Sequence, residues 1–276
     1  MLFLRNYAME RFLERLSASK YRNCFILKGG MLISAMVGID SRATMDIDTT
    51  LRNYPLNCES AEQIVRQIAD VEIDDKISFV IKKTEEIMED SEYQGVRLSL
   101  DAYLDKTRIP LKIDISTGDV ITPCEISISY QLMFENRTIP LLAYPPETVL
   151  AEKLETILSR GEANTRLRDL YDVYILQRED FVETPDALCH ALLATCRKRG
   201  HEDLLHTYAS ILDRVRQSDT MRTQWMKYQS DFDYAAGITW DTVLDTVETL
   251  CMNTLDDHAF GDELPQEESQ FEMHLL

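Results

Sequence analysis

Apolar and polar positions along the first half of the chain alternate between two periods. Residues 6–18 repeat every three to four positions, with Tyr7, Phe12, Leu13 and Leu16 on one side and Glu10, Arg11, Glu14 and Arg15 on the other, which predicts an amphipathic helix. Phe25-Ile26-Leu27 reads as a short apolar strand. It hands over at Gly29-Gly30 to an apolar helix over 31–37, with Gly38 as its C-cap. Met45–Leu51 reads as a strand ended near Pro55, and Ser60 with Gln63 three positions on predicts a capping box opening a helix to Ala69. Ile77–Ile81 and Gly95–Tyr103 follow as strands, the second turning Val96, Leu98 and Leu100 inward, with the charged run Lys82–Glu92 as a turn region between them. Arg108–Ser116 is a further strand closed by Gly118-Asp119, and Pro123–Ile139 holds one or two shorter extended pieces.

The period changes at Tyr144-Pro145-Pro146. Prolines are favourable at a helix start, where their missing N–H has no partner in any case. Helices are predicted over 147–160, 166–177, 184–199, 202–216, 221–229 and 240–253. The fold class expected is α+β: a mixed sheet of about five strands in residues 1–143, a helical bundle in 144–255, and an acidic, flexible tail over 256–276.

Charge narrows the function. With 29 basic and 48 acidic residues the formal charge is −19, which disfavours broad, unspecific nucleic-acid binding and suits a basic protein partner. The six cysteines are scattered without a C-x-x-C, the pattern of reduced thiols in a cytoplasmic protein. The five histidines lie outside the acidic motifs and form no metal-ligand spacing. No apolar run approaches the roughly 20 residues of a membrane span, and the N-terminus lacks the apolar region of a signal peptide.

Chemistry concentrates around Asp46 and Asp48. Two carboxylates separated by one strand residue face the same way, about 6–7 Å apart. They repel one another, and a divalent cation relieves that repulsion, since hard cations such as Mg²⁺ take oxygen ligands. The turn at Gly29-Gly30 lets backbone N–H groups approach a phosphate at a helix N-terminus. On a second strand Lys112 and Asp114 share one face, so Asp114 becomes a third carboxylate if that strand lies beside the first. Lys153 sits on a helix with an apolar face and reads either as a cation for the site or as a surface lysine paired with Glu152 or Glu155. Asp169 and Asp172, three apart, share a helical face and read either as site carboxylates or as partners of Arg166 and Arg168.

Five short motifs occur in order: Lys28-Gly29-Gly30, Arg42-x-Thr44-x-Asp46-x-Asp48, Lys112-x-Asp114, Glu152-Lys153-Leu154 and Arg168-Asp169-x-x-Asp172. Together, from about Phe25 to Leu176, they resemble the AbiEii/AbiGii toxin family of nucleotidyltransferases, a branch of the DNA polymerase β-like superfamily. The resemblance implies a polymerase β-like domain that transfers NMP from an NTP to an acceptor hydroxyl, on RNA such as a tRNA end, and releases pyrophosphate. It implies Mg²⁺ or Mn²⁺ held by Asp46, Asp48 and Asp114, with Lys153 and Asp169 also catalytic. Gly29, Gly30, Lys28, Arg42, Thr44, Lys153, Arg168 and Asp172 would bind the nucleotide. Spacing leaves open which of Asp169 and Asp172 belongs to the active site. A cognate antitoxin and a role in phage defence are implied as well. Relatives often carry Ser or Thr after the glycine; here Met31 stands there and a hydroxyl contact to phosphate is lost. A protein or small-molecule acceptor, and an idle fold that only binds a nucleotide or partner, are the alternatives. Arg160, Arg166, Arg168 and Arg197-Lys198-Arg199 are the clustered cations where an RNA would be sought.

Overall fold

Phe25–Lys28 (β1) is buried at every position, and it lies inside a seven-stranded mixed sheet. The computed structural model describes residues 2–38, 40, 42, 44–88, 94–179, 181–182 and 184–255; the tail expected over 256–276 lies outside these. The further strands are Ile47–Leu51 (β2), Ile77–Met88 (β3), Gln94–Leu104 (β4), Thr107–Ser116 (β5), Ile126–Gln131 (β6) and Thr138–Ala143 (β7), in the spatial order β3-β4-β5-β2-β1-β7-β6. β2 runs antiparallel to β1 and parallel to β5, and β1 runs parallel to β7. The outer strands are hairpins: β3 with β4, β4 with β5, and β6 with β7.

Two differences from the sequence reading account for the larger sheet. The extended pieces after Pro123 pair as the β6–β7 hairpin and add two strands beyond β1. The charged run from Lys82 is not a turn as far as Met88: Lys83, Thr84 and Glu85 pair with Ser99, Leu98 and Arg97. Its charges stand on an edge strand, where they discourage pairing with another chain. The rest of the expected turn, 89–92, lies outside the described residues.

Leu2–Ala18 (α1) packs on β5 and β7, and Cys58–Ala69 (α3) on β3. The charged side of α1 does not face solvent. Glu10, Arg11, Glu14 and Arg15 are all buried, because the segments around Glu135 and Asp75 close over them. Arg11 pairs with Glu10 and Glu14 at 2.7 Å and with Glu135 at 2.8 Å, and Arg15 pairs with Asp75. The cap of α3 is Asn57 rather than Ser60. Ser60 occupies the third helical position and completes a reciprocal box, its N–H donating to the Asn57 side chain and its hydroxyl accepting from the Asn57 N–H.

β7 ends at Ala143, and no strand follows it among the described residues. The helices are Pro146–Arg160 (α4), Leu167–Arg178 (α5), Pro185–Arg199 (α6), Leu204–Gln217 (α7), Asp219–Asp231 (α8) and Trp240–Leu255 (α9). The apolar side of α4 buries Val149, Leu150, Leu154, Ile157 and Leu158, and one continuous core joins sheet and helices. Gly29–Val37 (α2) fills the corner between β1, β2 and α5. No described helix is long and apolar enough to cross a membrane.

Candidate functional site

The parallel register of β2 and β5 sets Asp48 directly beside Asp114. The same transverse row continues to Lys28 on β1 in one direction, and to Arg97 on β4 and Glu85 on β3 in the other. Residues in register share a face, so the row reads Glu85, Arg97, Asp114, Asp48, Lys28 across one side of the sheet. Asp46 lies in a bend just before β2, which starts two residues later than the sequence reading expects. It remains within electrostatic reach of the pair. Burial and the charge of Asp114 raise the pKa of Asp46, against Lys112, Arg97 and Arg168. Burial, Asp114 and Asp46 push Asp48 up to about 6, against Lys28 and Lys153. Among the described residues no ion pair or side-chain hydrogen bond reaches the carboxylate of Asp46 or Asp48. Asp114 differs: it accepts from Nε and Nη2 of Arg97 at 2.8 and 2.6 Å.

The glycine pair makes room for the site's own side chains. Gly29 has φ +63°, and a Cβ there would stand 2.8 Å from Cγ of Asp48. A Cβ on Gly30 would stand 2.5 Å from Oγ1 of Thr44 and 3.2 Å from Nη2 of Arg42. Thr44 and Arg42 therefore rest against the first turn of α2, and Asp48 against its first residue. Met31, 2% exposed, belongs to the core.

A buried bracket ties this corner to the helices. Arg42, 1% exposed, donates from Nε to Oδ1 of Asp172 at 2.5 Å and from Nη2 to Oδ2 at 3.2 Å. Lys153 donates to Asp169 and lies 3.3 Å from Asp172. The partners of the α5 carboxylates thus include Lys153 and Arg42. Glu152 and Glu155 both meet Arg199, and Glu155 also meets His201. Burial acts to raise Asp172, but Arg42 and Lys153 outweigh it and hold the carboxyl below its usual range.

Lys28, 7% exposed, donates to Asp119 at 2.9 Å, and Asp119 also accepts from Ser116, Thr50 and Tyr144. Burial opposes the charge on Asp119, yet Lys28 and these hydroxyls hold its pKa down at about 2.

A cleft of about 910 Å³ collects most of these groups. Asp46, Asp48 and Asp114 line it with Gly29, Gly30, Arg42, Thr44, Lys153, Arg168 and Asp169. Lys28 and Asp172 stand off its wall: Lys28 opens on an adjoining chamber of about 190 Å³ with Arg160 and Arg199, while Asp172 is fully buried behind Arg42. Arg166 lines both spaces. α8 supplies a wall with Gln224, Lys227 and Tyr228. Sequence reasoning missed this wall, along with Arg97 and Asp119. α8 carries no motif, and the other two acquire partners only through strand register and a turn.

As a test for a divalent cation, the donor set is all oxygen, and two of its carboxylates are raised and unpaired. These two suit a hard ion. Among the described residues no three acidic, His or Cys side chains stand already gathered around one point. Asp114 is engaged by Arg97 instead.

Comparison with known proteins follows this geometry. The family model for the nucleotidyl transferase AbiEii toxin of type IV TA systems matches residues 11–246. No curated protein matches the chain. Among solved structures, JHP933 from Helicobacter pylori is similar at a TM-score of 0.51 and 14% identity, covering 93% of this chain and 94% of that one. A candidate nucleotidyltransferase from H. pylori is similar at the same TM-score and identity, covering 93% and 97%. At such identity the likeness concerns the fold.

Proposed function

The chain belongs to the AbiEii family of nucleotidyltransferase toxins, and we propose that it moves NMP from an NTP onto an acceptor hydroxyl of RNA, a tRNA end among the candidates. The observation that carries this reading is the adjacency of Asp48 and Asp114, with Asp46 beside them, on the floor of a cleft walled by cations. Asp46 and Asp48, joined by Asp114, would hold Mg²⁺ or Mn²⁺. Such an ion neutralises the triphosphate and lowers the pKa of an attacking hydroxyl.

The chain's own residues do the rest. Lys153, held by Asp169, and Arg168 face the cleft and offset phosphate charge. Transfer of this kind needs positioning and charge neutralisation more than covalent participation by the protein. Arg42 is committed to Asp172, so its role is to brace the glycine corner rather than to meet phosphate. The first turn of α2 offers backbone N–H groups toward the β- and γ-phosphates. In this reading the sheet unit, 1–143, supplies the carboxylates and the helical unit, 144–255, supplies the cations.

An RNA acceptor is supported by Arg166, Arg168 and Lys227 on the cleft wall, a local basic lining in a chain of net charge −19. The same net charge favours a second reading, a cationic protein or small-molecule acceptor. A type IV toxin implies a cognate antitoxin, and we place the pair in the cytoplasm, in phage defence.

The test is to incubate the purified chain with each α-labelled NTP, Mg²⁺ or Mn²⁺, and whole-cell extract, and to separate RNA, protein and small molecules. Label is expected in RNA, dependent on metal and lost in Asp46→Asn and Asp48→Asn. Label in another fraction replaces the acceptor; no label in any fraction from a folded sample overturns the reading.

A further inference from the structure

Arg97 is the one group among the described residues that forms an ion pair with a member of the acidic three. It reaches Asp114 from the neighbouring strand, in direct register, with two nearly parallel N–H bonds of 2.8 and 2.6 Å. Its side chain is 34% exposed while that of Asp114 is 10% exposed, so the guanidinium covers the carboxylate from the cleft side. On the other flank its register partner is Glu85, whose carboxylate is 2.6 Å from Lys83. The oxygens of Asp114 that Arg97 holds are oxygens a cation shared with Asp48 would need. A guanidinium and a divalent ion on one carboxylate also repel each other.

We propose that Arg97 is a resident counter-ion of the acidic site: it caps Asp114 until metal and nucleotide enter together, then turns to the substrate phosphates. The inference rests on reading the cleft as a metal–nucleotide site. Arg97 thus acts through Asp114 before substrate enters and on the phosphates afterwards. Metal bound alone must displace the guanidinium without compensation, whereas metal bound with a triphosphate gives the guanidinium a new anion. Metal and nucleotide therefore bind cooperatively, and reciprocally so. A purely structural cross-strand pair predicts something else: Arg97→Gln would weaken the fold and leave metal affinity where it was, or lower it.

The experiment is calorimetric titration of Mn²⁺ into the full-length chain and its variants, with and without α,β-methylene NTP analogues of the four bases. Because the guanidinium and the cation compete for the same carboxylate oxygens, Arg97→Gln is expected to bind Mn²⁺ alone roughly tenfold more tightly than the native chain, the scale of an ordinary coupling between two ligands. The analogue is expected to improve Mn²⁺ affinity more in the native chain than in Arg97→Gln. Arg97→Lys, charged but without the two-pronged fork, is expected to fall between them. Asp114→Asn is expected to bind weakly whether or not Arg97 is changed. Equal or weaker Mn²⁺ binding by a folded Arg97→Gln overturns the inference and leaves the transferase reading intact. Should Arg97→Gln not fold, Arg97→Lys decides, and an affinity equal to the native value overturns it. No Mn²⁺ binding by any variant, with or without analogue, overturns the metal-dependent reading itself.

Discussion

The place a Cβ on Gly29 would take is 2.8 Å from Cγ of Asp48, so the carboxylate of the second acidic residue rests directly on the backbone of residue 29. Gly29→Ala meets two costs there. The positive φ of 63° costs about 1–2 kcal/mol for a residue with a Cβ. The new methyl also displaces Asp48. A misplacement near 1 Å in a reacting site costs on the order of a hundredfold in rate. Gly29→Ala is therefore expected to lower nucleotide incorporation by about that factor with only a modest fall in Tm, read by labelled transfer and thermal melting.

Asp48 makes stability depend on pH in an unusual direction. Its folded pKa, about 6, exceeds the ordinary value of 3.8. The folded chain holds this proton more tightly than the unfolded one. The favourable contribution is complete below about 4 and is lost as pH rises through about 6. Asp48→Asn is expected to stabilise the metal-free protein by about 1–3 kcal/mol at neutral pH and by nothing near pH 4, while abolishing transfer. Denaturant unfolding of both proteins at the two pH values checks this. A native chain as stable as the variant at neutral pH would refute it.

Asp169 and Asp172 are expected to separate by assay. Asp172 is fully buried and anchors Arg42, so Asp172→Asn leaves a buried guanidinium short of its counter-ion and should cost about 3–5 kcal/mol of stability. Asp169 lines the cleft and holds Lys153, so Asp169→Asn should reduce transfer with a much smaller effect on Tm. The reverse pattern would exchange their roles.

Lys28 and Asp119 predict an acid transition of the opposite sign to that of Asp48. With its pKa held at about 2, Asp119 contributes stability that is present above about 4 and lost as pH falls through about 2. Asp119→Asn is expected to cost about 2 kcal/mol at neutral pH and to match the native chain at pH 2. Chemical denaturation across that window decides it.

The nearness of Asp48 to Asp114 was legible where local pattern and pairing agree. Asp48 and Asp114 sit on short strands whose apolar alternation fixes the face of each carboxylate, and the β2–β5 register then brings them together. Arg97 was not legible, because its partner is set by register across two hairpin strands, and nothing local marks a half-buried strand arginine as a partner of Asp114. The run from Lys82 was misread because charge imitates a turn on a strand whose outer edge is unpaired. The burial of the charged side of α1 was not legible, because two distant segments, around Asp75 and Glu135, close over it. Periodicity shows which residues share a side of a helix; it does not show what covers that side.

The parallel pairing of β2 with β5 also sets a schedule for the molecule's synthesis. Strands running the same way cannot be joined by a tight turn, so the chain leaves β2, builds α3 and the β3–β4 hairpin, and only then returns to lie beside it. Asp48 and Asp114 are register partners on neighbouring strands but are 114 − 48 = 66 positions apart. A nascent chain carries the first two carboxylates long before the third emerges from the ribosome. A protease cut between α3 and β3 would break the covalent path that joins the two strands, leaving only their pairing in the sheet to hold these carboxylates together.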